Sequence, residues 1–195
     1  MEIVKSSESL RNTTAELLGR VCKDTVVEPG LINVTTEQLR KGTLTNKGAR
    51  LDISTRGFWS TLDKAFTDIR VLHPQAASNS KKSLPQMYRT HENEKKYLYN
   101  DRVLNVEKGT FTPLVFSTTG GMGLEATIFY KHLAEKLSNK TGQLYSDTIA
   151  FIRRRLRFDL LKTCLISLRG FRGKVSKKPA SVDTLDLNLS PQTTQ

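Results

Sequence analysis

Cysteine, histidine and acidic residues are all scarce in this chain of 195 residues. The two cysteines, Cys22 and Cys164, have no CxxC spacing and sit in apolar helical patterns. They read as reduced, buried thiols of an intracellular protein, although a single disulfide between them stays open. His73, His91 and His132 lack metal-ligand spacing, so no zinc site is expected. No stretch approaches the roughly 18 to 20 uncharged apolar residues that cross a bilayer. Met1 to Leu10 holds charged and serine residues without the apolar core of a secretory signal. Aspartate and glutamate number 19 against 31 lysines and arginines, a net charge of +12 with a pI near 9.9. Such basicity concerns partners rather than fold: nucleic acid first, an anionic membrane surface second.

What is present is globular in composition, and the length suits one domain with a single core. Neither repeats nor a second domain is visible. The domain is expected over residues 1–172, and the tail 173–195, with Pro, Ser, Thr and Gln and little to pack, reads as disordered.

Apolar residues at Leu10, Leu17, Leu18 and Val21 predict an amphipathic helix over 7–22. A short strand over 24–28 is closed by Pro29-Gly30, and the polar stretch 31–48 reads as a loop. Residues 50–55 alternate Leu51 and Ile53 against Asp52 and Ser54, while 66–72 set Ile69 and Val71 against Asp68 and Arg70. Both are predicted strands, joined by a connection that holds Gly57, Phe58 and Trp59. A charged helix follows over 86–107, then a strand over 111–118 whose Pro113 suggests an edge or irregular start. After the Gly120-Gly121-Met122-Gly123 run, Ala126, Phe129, Leu133 and Leu137 mark one helix. A longer helix over 146–168 carries the stripe Ile149, Ile152, Leu156, Leu160 and Thr163. The order α-β-β-β-α-β-α-α implies an α/β fold: a mixed, mainly antiparallel four-stranded sheet flanked by helices, with a basic C-terminal helix.

Asp52 and Asp68 stand out because aspartate inside a strand competes for backbone hydrogen bonds and resists burial. Two of them on neighbouring strands need compensation, and a divalent cation is one route. Mg²⁺ takes one or two carboxylates and keeps waters, which leaves room for a phosphate. Asp68 and Arg70 share a strand face, with the Ile69 carbonyl between them as a further candidate ligand. Arginine is a poor general base because its pKa exceeds about 12, so a lysine from elsewhere is expected. The helix after the third strand offers Lys95 and Lys96, with Tyr99 on the face of Lys95. Glu28 is a candidate third carboxylate. The plain alternative puts each aspartate at an edge or in solvent, with Asp68 and Arg70 pairing across the pleat.

The stretches GARLDISTRGFW, FTDIRVLHPQAASN, YRTHENEKKYLY and FTPLVFSTTGGMGLEATIFYKHLA resemble a family of restriction-endonuclease-like domains of mobile elements, abundant beside reverse-transcriptase-type sequences. The resemblance covers roughly residues 10 to 172, and the first six elements follow the αβββαβ order of the PD-(D/E)XK core. It implies a metal-dependent DNA endonuclease that uses Mg²⁺ or Mn²⁺ to nick or cleave. By position, Asp52 would be the first motif aspartate and Asp68 the second, with Arg70 where lysine is usual and Lys96 with Tyr99 as the helix motif. It further implies a nuclear location and a reverse transcriptase or other mobile-element protein as partner; double-strand cutting would suit a homodimer. The segment KSSESLRN lacks the Arg-His pair with which members tend to open. That departure and Arg70 favour a second reading, a non-catalytic nucleic-acid-binding module with a degenerate site, whereas the retained aspartates oppose it. A structural interaction protein whose charge is incidental is a third.

Arg153, Arg154, Arg155 and Arg157, then Lys162, Arg169 and Arg172, interleave with the last apolar stripe, and Asp159 is the only acid among them. They read as a phosphate-tracking face with salt-dependent affinity that is mostly independent of sequence; the alternative is a merely solvated helix. The GGMG run lacks both the P-loop and GxGxxG patterns and reads as a tight turn rather than a phosphate cradle. Ser117, Thr118 and Thr119 have no triad partners in view, and Phe58 and Trp59 read as core or loop anchors.

Overall fold

The computed structural model describes residues 8–34, 39, 41–76 and 82–169, with side chains in the last helix described through Leu165. The tail 173–195 lies outside the described residues. The elements run α1 (Glu8–Val21), β1 (Lys23–Val27), β2 (Ile53–Arg56), β3 (Lys64–Leu72), α2 (Leu84–Asn105), β4 (Gly109–Ser117), α3 (Leu124–Thr141) and α4 (Tyr145–Arg169).

Strand order in the sheet follows chain order. β1 with β2 and β2 with β3 are antiparallel, whereas β3 and β4 are parallel, from Lys64 opposite Gly109 to Leu72 opposite Ser117. A parallel pair cannot be closed by a tight turn and needs a crossover; α2 is that crossover. The chain is therefore α/β, a mixed four-stranded sheet flanked by helices. Pro113 sits within the edge strand β4, opposite Asp68 of β3.

Alternation along the strands divides the core between two faces. Ala65, Ile69 and Val71 of β3, with Leu114 and Phe116 of β4, pack against α1, α3 and α4. On the other face Phe66 and Phe111 meet Val103 and Tyr99 of α2, and Leu72 and Val115 meet Met87 and Tyr88 of the same helix. Asp68 and Arg70 share that second face, between its two apolar patches.

The strand expected over 50–55 begins later and is not regular. Leu51 packs on the α2 side and Ile53 on the opposite side, although two residues that far apart in a regular strand share one face. The chain bends at Asp52, and Arg50 is paired only through an isolated bridge to Gly30. At the bend the Asp52 carboxylate, in place of a main-chain carbonyl, accepts the Ile69 N–H of β3.

The described residues of the polar stretch 31–48 are held by α2. Arg102 is fully buried and donates to the carbonyls of Ile32 at 2.7 Å and Leu44 at 2.9 Å. The Leu44 N–H donates to Leu98 O at 2.9 Å, and Tyr97 Oη donates to Lys41 O at 3.0 Å.

Candidate active site

Asp68 projects from the middle of β3 toward α2 and is only 8% exposed. Lys95 reaches it from the helix, with Nζ 2.6 Å from Asp68 Oδ2. The sheet-facing stripe of α2 runs Tyr88, Lys95, Tyr99, Val103, so Lys95 occupies the one cationic position in it. Its ammonium lies 5.5 Å from the centre of the Tyr99 ring, a distance at which the ring's negative face attracts it. Each helical residue turns the side chain by about 100°. Lys96 is thereby carried round toward α3, where its Nζ lies 2.5 Å from Glu125 Oε1. The lysine brought to the aspartates is Lys95; Lys96, the one assigned by the resemblance, belongs to another ion pair.

Asp52 approaches from the foot of β2. Its Oδ2 accepts the Ile69 N–H at 2.6 Å, and its own N–H donates to Thr67 O at 3.1 Å. Burial raises the Asp52 pKa to about 6, the charge of Asp68 adds to the rise, and the Ile69 N–H, Arg11 and Lys95 oppose it. Burial also pushes Asp68 up, against the pull of the adjacent Lys95 ammonium. Tyr99 is raised by burial first and then by the charge of Asp68, with Asp52 contributing. Two carboxylates, one ammonium and one phenol thus form a single electrostatic unit beneath α2.

Arg70 lies on the face of Asp68 but pairs with Glu94 of α2, Nη1 to Oε2 at 2.8 Å. His91 Nδ1 is 3.1 Å from the same oxygen. Glu28 is engaged by arginines: its carboxylate contacts Arg11 and lies 3.6 Å from Arg50. Among the described residues no group of three His, Cys, Asp or Glu side chains is placed to hold a metal. The donor set is therefore Asp52 and Asp68, each with one oxygen already engaged. That set fits a hard ion of the Mg²⁺ type, which needs only one or two carboxylates.

The glycine run before α3 is a packing device. A Cβ on Gly121 would come 2.3 Å from Tyr88 Oη, and one on Gly123 would come 2.2 Å from Glu92 Oε1. Glu92, buried in α2, accepts the Glu125 N–H at 3.1 Å and so places a carboxylate at the N-terminus of α3. Acidic groups there complement the helix dipole, and burial raises the Glu92 pKa. Sequence reading missed both Glu92 and Arg102; each acts on a segment far away in the chain, and no local periodicity marks it.

The basic residues of α4 stand on the opposite face of the sheet from this unit, because α4 packs with α1 and α3. Arg153, Arg154, Arg157 and Lys162 are exposed, whereas Arg155 is tied to Glu16 of α1 at 2.5 Å. The side chain of Arg169 and all of Arg172 lie outside the described residues. Cys22 and Cys164 are free and half-buried, and burial pushes both thiols up. Trp59 stacks on His132, ring centres 5.1 Å apart, and donates to Thr112 Oγ1 at 3.3 Å. No helix among the described residues is long and apolar enough to cross a membrane. No protein-family model matches this sequence, and no curated protein matches it significantly.

Proposed function

We propose that the chain is a metal-dependent DNA endonuclease domain of the restriction-endonuclease-like, PD-(D/E)XK class, using Mg²⁺ or Mn²⁺ held by Asp52 and Asp68. One observation carries this reading: Lys95 meets Asp68 at 2.6 Å beside a second, half-buried aspartate whose pKa is raised to about 6. Buried like charges next to a lysine are an arrangement typical of sites that act on substrate. The order αβββαβ and the parallel β3–β4 pair support the same class.

When bound, the ion supplies an activated water and neutralises charge at the scissile phosphate. Asp52 and Asp68 would hold it, and Asp52 is ionised for that role above about pH 6. Lys95, fixed between Asp68 and the Tyr99 ring, orients the water or the phosphate. Arg70, braced by Glu94, adds positive charge on the same strand face. A nuclear mobile-element protein that works beside a reverse transcriptase is the context this reading implies.

The test is nicking of supercoiled plasmid at low salt with Mg²⁺ or Mn²⁺, comparing wild type with Asp68→Ala, Lys95→Ala and Lys96→Ala. Metal-dependent nicking lost in the first two variants and kept in the third is the expected result. One observation favours a non-catalytic nucleic-acid-binding module instead: Asp52 already serves a main-chain N–H and Asp68 already serves a lysine. If none of the proteins cuts and all bind DNA equally, that second reading replaces the first.

A further inference from the structure

Three basic side chains from two helices converge without an ion pair among the described residues. Lys131 of α3 and Arg153 and Arg157 of α4 rim a cleft of about 220 Å³ beside the Gly120 turn. Arg153 and Arg157 are one helical turn apart and so share a face. Several other cations are held in ion pairs: Arg11 by Glu28, Lys95 by Asp68, Lys96 by Glu125, Arg155 by Glu16. Among the described residues, no acidic side chain pairs with any of the three that rim the cleft. Left to themselves, they only repel one another.

The rest of the cleft narrows what it can take. Its floor includes Met122 and Ile149, which offer no hydrogen bonds. Tyr130 Oη is bonded to Thr14 at 2.7 Å, and Thr127 Oγ1 donates to Gly123 O at 2.8 Å. The Gly120 N–H donates to Ser117 O at 3.0 Å, so it is not aimed at a ligand. Nothing here is arranged to read the edge of a base, whereas two guanidinium forks and an ammonium suit phosphate oxygens.

We infer that this cleft is a second phosphate site, which takes the backbone of a nucleic-acid strand on the sheet face opposite Asp52, Asp68 and Lys95. It rests on the nucleic-acid part of the proposed function and not on catalysis. A strand seated there is a different strand, or a distant stretch of the same one, from any that reaches the aspartates.

The test is fluorescence anisotropy with a labelled DNA duplex in EDTA across a salt series. Wild type is compared with Lys131→Gln/Arg153→Gln/Arg157→Gln and with a charge-matched control, Lys23→Gln/Lys47→Gln/Lys108→Gln. All six positions are exposed, and circular dichroism checks that each variant is folded. The cleft variant should lose at least about tenfold in affinity. Its slope of log affinity against log salt should flatten by roughly 2 to 3, near 0.9 for each phosphate no longer neutralised. The control should keep most of both. Equal losses in the two variants overturn the cleft and leave only a general positive field, with nucleic-acid binding intact. No binding by wild type removes the nucleic-acid reading and the cleft together. If inorganic phosphate binds wild type but not the cleft variant, while duplex affinity is the same for both, the site takes a small anion and the strand assignment fails.

Discussion

The side chain of Asp52 is bonded to the main chain of Ile69, Oδ2 to N–H at 2.6 Å, where β2 parts from β3. A charge-assisted bond of this kind stabilises by about 1.5–3 kcal/mol, yet it does not offset burial, and the pKa still rises to about 6. Asp52 therefore binds its proton more tightly in the folded chain than at the ordinary value of 3.8. The associated stability is full below pH 3.8 and is lost as pH rises through about 6. The gap corresponds to roughly 3 kcal/mol. Asp52→Asn keeps an oxygen for Ile69 and removes the buried charge. It should melt several degrees higher than wild type near neutral pH and show a flatter pH profile between acid and neutral conditions. Identical profiles for the two proteins would mean that Asp52 is not the strained group.

Mg²⁺ should raise the melting temperature of wild type at neutral pH, because an ion that binds only the folded chain stabilises it. The rise should fade as pH falls below about 6, where Asp52 takes up its proton. Asp68→Asn should abolish it. Calorimetric titration with Mn²⁺ gives the same comparison without heating, and equal heats for wild type and variant would remove the ion from this site.

Lys95 and Lys96 are adjacent in sequence and should behave differently. Lys95→Met leaves Asp68 buried without its ammonium, a change that costs about 3–5 kcal/mol in buried pairs. With the counter-charge gone, the Asp68 pKa moves further up, so the loss is largest at high pH and shrinks as acid neutralises the carboxyl. The Lys96–Glu125 pair is more exposed, and Lys96→Met should cost no more than about 1 kcal/mol. Urea melts at two pH values measure both; equal losses would show that Lys95 has no special counter-ion role.

Gly123 and Glu92 should be coupled. Gly123→Ala drives a methyl group into Glu92 Oε1 and displaces it from the Glu125 N–H. Loss of such a cap costs about 0.5–2 kcal/mol. In a Glu92→Ala background the same glycine substitution should be nearly harmless, which gives a coupling of about 1 kcal/mol in a double-mutant cycle. Additive effects would break the link.

Arg102→Met should open the segment that Arg102 secures, because the carbonyls of Ile32 and Leu44 lose their donor. These part-buried bonds cost at most about 1–3 kcal/mol each when lost, because Ile32 is exposed and Leu44 half-buried. Hydrogen exchange at the Leu44 amide, bonded to Leu98 O, should quicken more than exchange in β3. Uniform quickening across the sheet would point to global destabilisation instead.

Local periodicity made most of the architecture legible in the sequence. The stripe Ala126, Phe129, Leu133 and Leu137 is buried along α3, and the alternation around Asp68 sets the two faces of β3. The regular strand expected through Asp52 is where periodicity misled. Alternating residues there looked like any other strand, and only a partner on β3 reveals that the carboxylate replaces the ladder. Choosing between Lys95 and Lys96 needed the phase of α2 rather than its existence. That phase was available in Tyr88, Lys95, Tyr99 and Val103, although His91, Glu92 and Arg102 blur the stripe with charge. Arg102 and Glu92 serve partners dozens of residues away, which no windowed pattern detects.

The crossover through α2 also sets a time at which the acidic unit can come into being. Asp52, Asp68 and Lys95 all precede β4 in the chain, and Phe111 and Val115 of β4 complete the apolar seats of α2 that Phe66 and Leu72 of β3 begin. A nascent chain that stops short of Gly109 holds every polar member of the unit but lacks the β4 half of the seat beneath α2. Until that strand arrives, the edge of β3 is open to other chains. Ser117 ends the strand that completes that seat, so the full set of contacts around these charges follows its synthesis.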